Sequence, residues 1–313
     1  MSQGKRILLI GSSNMDLAVN VCRVPEVGET LLDDGGVAYT PGGKGANSAI
    51  AITNLGGECV FATKLGADGN GRQLYQYYKE RGLDTSQIKV DRESATGFAL
   101  VIKEPGGKNR IVYYPGANLT ISEDNIREAF SCEPDALYIG FETSFETALA
   151  ACRVASARGI PIFIDASPAD KAHSLEKLPP LEVFSPNEAE TLEYTGIRPL
   201  GADAALRACL ALRRRVNAKY IVLKLGERGA FIYDGRYHSV VPAFPVGRVV
   251  DTTAAGDTFT AALTLEYMRT RDIKTAARFA SAAGALAVTR AGASLSVPTR
   301  DEVLEFMRKY STV

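Results

Sequence analysis

What constrains this chain most is a regular alternation of short apolar runs with longer amphipathic stretches. Runs at 6–10, 59–63, 136–140, 160–165, 183–185 and 220–224 have the length of strands. Stretches at 43–55, 71–81, 145–157 and 202–214 have the length and periodicity of helices. Strands that are apolar throughout and joined by helical crossovers predict an α/β fold, with a mostly parallel central sheet flanked by helices. Gly159 closes the third helical stretch as a left-handed cap residue would. Two stretches break the rhythm. Residues 16–40 and 95–117 read as β-ribbons, the second with Pro105-Gly106-Gly107 between two alternating runs, so a hairpin is expected there. No repeat, low-complexity segment or linker divides the 313 residues, so residues 1–313 are expected to form a single domain with the two ribbons inserted into it.

Charge narrows the partners. Lys plus Arg equals Asp plus Glu at 36 each, which leaves no basic field for nucleic acid or an acidic membrane surface and favours a small-molecule substrate. The first apolar run, Ile7 to Ile10, is too short for a signal or membrane segment and reads as a buried first strand. Cys22, Cys59, Cys132, Cys152 and Cys209 are scattered and show no CxxC pair, as expected of reduced thiols in a cytoplasmic protein. His173 and His238 stand far apart, so a histidine metal site is not expected.

Most of the glycine-rich segments do not fit known phosphate loops. Gly42-Gly43-Lys44-Gly45 fails the P-loop pattern, since Gly follows the lysine and no Gly stands five residues before Gly43. Gly11-Ser12-Ser13-Asn14 lacks the glycines of a dinucleotide fingerprint, and 66–71 has the wrong spacing and reads as a tight βα turn. The run DTTAAGDTFTAAL at 251–263 is different. A strand-like run at 248–250 leads into small residues and then an amphipathic helix. Ala254, Ala255 and Gly256 leave backbone N–H groups uncovered at the helix start, where the dipole favours an anion such as a phosphoryl group. Asp257 would repel phosphate there, but makes sense as a base that takes the proton from an attacking hydroxyl. The last third is helical. Ala276, Phe279, Ala280, Ala283 and Ala287 form one stripe of a buried helix, and Thr299 with Glu302 forms a capping box that opens a terminal helix.

With these segments in hand, the chain resembles the ribokinase family of PfkB-type carbohydrate kinases. GSSNMD (11–16), PEVGET (25–30), GGKGAN (42–47), SPNEAE (185–190), LGERGA (225–230), DTTAAGDTF (251–259) and TRAGASLSVP (289–298) occur in the family's order over nearly the whole chain. The resemblance implies a ribokinase-like fold whose two ribbons form a small β-sheet lid. It also implies ATP-dependent phosphorylation of a sugar, D-ribose at O5, with Asp257 as general base and the amides of 254–257 as anion hole. Asn14, Asp16, Gly42, Gly43, Lys44, Asn47 and Glu142 would bind the sugar. Asn187 and Glu190 would lie near the nucleotide phosphates and Mg²⁺, and Lys224, Gly226, Gly229 and Ser281 along ATP. Asp251, Thr253, Ala287, Arg290, Gly292 and Ser296 correspond to a monovalent-cation site for K⁺, Arg290 contributing only its backbone oxygen. Lys224 replaces a common Thr, Ser281 a common Asn or His, and Ser48 a common Gln. Exposed apolar residues on the ribbons, among them Val19, Val21, Phe98 and Val101, are expected to pack two lids together in a homodimer.

Overall fold

The protein is described from a computed structural model covering residues 5–33, 35–105 and 108–310. The first half of the chain runs β1 (Arg6–Ile10), β2 (Asn14–Asn20), β3 (Val37–Gly42), α1 (Lys44–Asn54), β4 (Glu58–Gly66), α2 (Gly69–Glu80) and β5 (Ile88–Asp91). It continues with β6 (Gly97–Glu104), β7 (Lys108–Tyr114), α3 (Glu123–Ala129), β8 (Ala136–Ile139), α4 (Phe145–Ala157) and β9 (Ile162–Asp165). Then follow β10 (Leu181–Ser185), α5 (Glu188–Thr195), α6 (Ala202–Arg213), β11 (Ala218–Lys224), β12 (Ala230–Tyr233) and β13 (His238–Val241). Helices α7 (Ala255–Thr270), α8 (Ile273–Ala287) and α9 (Arg300–Lys309) close the chain.

Among the described residues these strands form two sheets. The larger has nine strands in the order β13-β12-β11-β10-β9-β8-β1-β4-β5. All its pairings from β5 across to β11 are parallel, and only β12, antiparallel to both β11 and β13, runs the other way. Alternation along β1 explains its two apolar faces: Ile7 and Leu9 join a core with α1, α7 and α8, while Leu8 and Ile10 join one with α4 and α6. The predicted Ala stripe of α8 is buried throughout, and Thr299 and Glu302 make the expected capping box of α9. Gly159, at φ 66°, follows α4 as the left-handed cap residue. Asp68 caps α2 through the Gly71 N–H at 2.7 Å, as a tight βα turn requires.

The smaller sheet is four-stranded, in the order β3-β2-β6-β7, and is built from the two ribbons. β6 and β7 pair antiparallel as the hairpin reading expects, although Gly106 and Gly107 of its turn lie outside the described residues. Strand alternation gives this sheet two unlike faces. One carries Asn14, Asp16, Ala99 and Tyr113; the other carries Leu17, Val19, Tyr39, Phe98, Leu100, Val112 and Tyr114.

Two expectations fail here. Val19, Phe98 and Val101 are only partly exposed because they lie on the central strands β2 and β6, and Val21, just past β2, is partly exposed too; exposure falls instead on Val37, Tyr39, Ile111, Val112 and Tyr114 of the outer strands. The run at 248–250 is not a strand. It pairs with no neighbouring strand, Val249 and Val250 are about half exposed, and the Val250 N–H is held by the Val288 carbonyl at 2.8 Å. Strands β5, β12 and β13 escaped prediction, being short four-residue elements at or next to the sheet edges.

Candidate active site

Strand ends and helix starts converge at one edge of the large sheet. Helix α7 begins with Ala254 at φ 60°, a left-handed conformation that costs an L-residue about 1–2 kcal/mol. No side chain caps this helix start. The Ala255 N–H donates to the Thr252 carbonyl at 3.3 Å, so that amide is engaged. Those of Gly256 and Asp257, in the first turn, have no acceptor among the described residues.

Asp257 is buried in that first turn. Its Oδ2 accepts from Asn47 Nδ2 at 2.9 Å, and its Oδ1 lies 3.7 Å from Lys44 Nζ. Both partners come from α1, which packs against α7. The Asp257 carboxylate raises the Lys44 pKa above its usual value despite burial, with help from Asp165, Glu142 and Glu190, so the ammonium stays charged. Asn47 Oδ1 is buried and has no partner among the described residues.

The start of α1 is shaped by close backbone approach. A Cβ on Gly45 would lie 2.5 Å from Ser12 N, and one on Gly42 would lie 2.2 Å from Asp16 Oδ2. Gly43 has φ 93°, and a Cβ there would crowd Ser12 O at 2.9 Å. Glu142, in the loop after β8, accepts from the Lys44 N–H at 2.9 Å and from the Ser12 hydroxyl. Asp16 projects from β2 into the same region. Burial first, and then the Glu142 charge, push its carboxyl up to about 6.

Lys224, at the end of β11, does not point away. Its buried ammonium donates to Asp165 Oδ2 at 2.8 Å and to Thr260 Oγ1 at 3.2 Å. Thr260 in turn donates to Asp165 Oδ2 at 2.8 Å. A Cβ on Gly256 would lie 3.8 Å from Lys224 Nζ, so a fixed cation sits under the uncapped helix start. Asn187 and Glu190 form a reciprocal capping box on α5: the Glu190 carboxylate accepts from Asn187 N and Nδ2, each at 2.7 Å. Burial raises the Glu190 pKa while Lys224 opposes the rise.

Asp251 joins two loops, accepting from the Thr253 N–H at 2.9 Å and the Gly292 N–H at 3.2 Å. The Asp251 N–H reaches Val288 O at 3.3 Å, and Ala287 O accepts from Arg290 N at 3.2 Å. The Arg290 guanidinium turns outward to Glu302, and the Ser296 hydroxyl donates to Ala293 O at 2.8 Å. Gly226 (φ 56°) and Gly229 (φ 86°) turn the chain between β11 and β12. Ser281 on α8 lies 3.5 Å from Pro242 O. Ser48 bonds Tyr138 OH at 2.9 Å, so its place in the sequence serves the core.

Sequence reading missed Asp165, Thr260 and Asn118. Asp165 carried a signal, a lone carboxylate closing the apolar run FID. Asn118 did not, since nothing local links it to Asn14, whose Oδ1 accepts its Nδ2 at 2.7 Å.

The chain as a whole is similar to known proteins. The family model for "pfkB family carbohydrate kinase" matches residues 5–300. A ribokinase of Haemophilus influenzae is 32% identical over 306 residues, covering 97% of this chain and 98% of that protein. A Bacillus subtilis ribokinase is 32% identical over 312 residues, covering 97% and 99%. The structure of Arabidopsis thaliana ribokinase complexed with ribose and ATP superposes with a TM-score of 0.87 at 26% identity, covering 97% of this chain and 99% of that one.

Proposed function

The chain belongs to the pfkB family of carbohydrate kinases, and on that premise we propose that it transfers the γ-phosphoryl group of ATP to O5 of D-ribose, giving D-ribose 5-phosphate. One observation carries the reading at the level of chemistry. A buried carboxylate, Asp257, stands beside two unengaged helix-start amides and is held by Asn47 and Lys44. In the proposed mechanism Asp257 Oδ1 takes the proton as the sugar hydroxyl attacks the γ-phosphorus, and the bond from that phosphorus to the β–γ bridging oxygen breaks to release ADP. The Gly256 and Asp257 N–H groups hold the phosphoryl oxygens, where developing charge is stabilised without reorganisation. Lys224 lies below them, buried and paired with Asp165, so its attraction for the phosphoryl oxygens is partly offset by that carboxylate.

The sugar would lie among Asn14, Asp16, Lys44, Asn47 and Glu142, over the Gly42-Gly43 backbone. Supporting this, Asn47 Oδ1 is a buried acceptor with no protein donor among the described residues, suited to an incoming hydroxyl. ATP would follow Gly226, Gly229 and Ser281 towards the helix start. Asn187 and Glu190 fit Mg²⁺ through its water shell, because both Glu190 oxygens already accept hydrogen bonds but retain lone pairs. That ion would neutralise phosphate charge.

The Asp251 carboxylate, the Thr253 hydroxyl and the carbonyls around Ala287, Arg290 and Gly292 offer only hard oxygen donors, which suit K⁺. The Ser296 and Thr253 hydroxyls donate their hydrogens to Ala293 O and Asp251 Oδ1, which leaves their oxygen lone pairs for a cation. Bound there, the cation would steady the 251–253 backbone that leads into α7. Residues 1–313 form one functional domain in this reading, with the four-stranded sheet as a lid. The lid's exposed apolar face, with Val37, Tyr39, Val112 and Tyr114, would pack on a second copy in a homodimer. A cytoplasmic setting fits the buried free thiols of Cys59, Cys152 and Cys209.

ATP consumption with D-ribose, 2-deoxy-D-ribose, D-fructose and adenosine tests the substrate. Ribose should give the highest kcat/KM; a higher value for fructose or adenosine would remove the ribose assignment and leave the kinase one.

A further inference from the structure

Register across the small sheet places one more group at the sugar. Asp16 pairs with Ala99, and Ala99 pairs with Tyr113, so the three side chains stand in one row on the same face. The middle member is small, which leaves the Tyr113 ring free to lean toward Asp16 and Asn14. Gly97, paired with Asn14, is smaller still, and a Cβ there would lie 2.2 Å from both Asn14 Oδ1 and Asn118 Nδ2.

The hydrogen bonds fix which atoms face the pocket. The Ser13 N–H must donate, and it meets Asn118 Oδ1 at 2.8 Å, so the other end of that side chain is the NH₂ group. Asn118 Nδ2 therefore donates, reaching Asn14 Oδ1 at 2.7 Å, Ser13 O at 3.2 Å and the Tyr113 hydroxyl at 3.4 Å. The Asn14 side chain, its carbonyl so engaged, also hydrogen-bonds the Tyr113 hydroxyl. The Tyr113 oxygen accepts from the Asn118 amide, and its O–H hydrogen has no protein acceptor among the described residues. Tyr113 is 38% exposed, and its partial desolvation with the charges of Glu142 and Asp16 raises the phenol above its usual pKa against the opposing hydrogen bonds of Asn118 and Asn14, so it keeps that hydrogen near neutral pH.

We propose that Tyr113 is a specificity-determining residue, donating a hydrogen bond from the lid to a sugar hydroxyl remote from the one that is phosphorylated. This deepens the sugar-kinase reading and rests on it. The donor lies on β7, on the Asn14 side of the site, whereas Asn47 and Lys44 hold the Asp257 side. A sugar that offers an oxygen to Tyr113 ties the outermost lid strand to the pocket; a sugar lacking it leaves a polar group unpaired under the closed lid.

Tyr113→Phe removes only the hydroxyl and keeps the ring. The experiment measures kcat and KM for D-ribose, 2-deoxy-D-ribose and 1,4-anhydro-D-ribitol, which lacks the anomeric hydroxyl, in both proteins. The expected result is a rise of about 10-fold in KM for ribose with kcat nearly unchanged. One of the two analogues should be indifferent to the substitution, which identifies the partnered hydroxyl. An equal loss for all three sugars would mean that Tyr113 only steadies Asn14, and would overturn the proposal. Unchanged kinetics with ribose would overturn it too, leaving the kinase reading intact. No phosphorylation of any of the three sugars by the wild-type chain would remove both.

Discussion

The two sheets solve opposite problems. The nine-stranded sheet is covered on both faces, and its charged groups at the strand ends are locked to one another: Lys224 to Asp165 and Thr260, with Asp257 gripped from α1. The four-stranded sheet is polar on the face that meets the site and apolar on the other, where several large side chains stand open. The difference separates the tasks. In the proposed reading the groups that must not move during phosphoryl transfer sit on the buried scaffold, and the sugar is shared between scaffold residues (Lys44, Asn47, Glu142) and lid residues (Asn14, Asp16).

If that division holds, the largest effect comes from the rigid side. Asp257→Asn should fold normally, bind ATP nearly as well as wild type and lower kcat by roughly 10²–10⁴-fold. Steady-state kinetics alongside nucleotide titration decide it, and near-normal turnover would reject the base assignment.

Breaking the buried pair should damage stability as well as rate. Lys224→Met leaves Asp165 uncompensated and should cost about 3–5 kcal/mol in urea unfolding, whereas the Asp165→Asn, Lys224→Met double variant should regain most of it. Equal losses in the single and double variants would argue against the pair.

On the lid side effects should appear in KM. Gly42→Ala drives a Cβ to 2.2 Å from Asp16 Oδ2, and displacing that carboxylate should raise the sugar KM by about 10-fold or more while ATP binding stays normal.

Acidity offers a finer test, because the Asp16 carboxyl is pushed up to about 6. Its ionisation above that pH is harder in the folded than in the unfolded chain, so it lowers stability there. The penalty is relieved as pH falls from about 6 towards 4. Asp16→Asn should accordingly be more stable than wild type at pH 8, with the gap closing near pH 5. Wild-type sugar KM should move the other way and rise below pH 6, as the acceptor is lost. Thermal melts and a pH profile of KM would show both trends, and flat profiles would contradict them.

The smallest effect on turnover is expected at the uncovered face. Val112→Glu should halve the mass seen by light scattering and change kcat little. A wild-type monomer at micromolar concentration would contradict the dimer.

How much of this was legible in the chain depended on range. Parallel strands, the α8 stripe and the α9 capping box were readable because period and cap chemistry are local. The run 251–263 revealed the helix start for the same reason. Contacts between distant segments were not readable: Asn118 reaches Asn14 across 104 residues, and Lys224 reaches Asp165 across 59. The strand-like run at 248–250 misled because β-branched residues such as Val249 and Val250 favour extended backbone whether or not a neighbour pairs with it. Exposure on the lid was misjudged for a related reason. Composition marks residues as apolar, but only sheet order says that Phe98 and Val19 lie on inner strands and Tyr39 and Val112 on outer ones.

The central claim is that this site moves a phosphoryl group onto the terminal hydroxyl of ribose. It is tested most directly by identifying the product. Wild-type protein with D-ribose, ATP, Mg²⁺ and K⁺ should yield a single phosphate monoester in which ³¹P couples to C5 of the sugar in the ¹³C spectrum. Coupling to C1, or no sugar phosphate while ATP remains intact, would contradict the account.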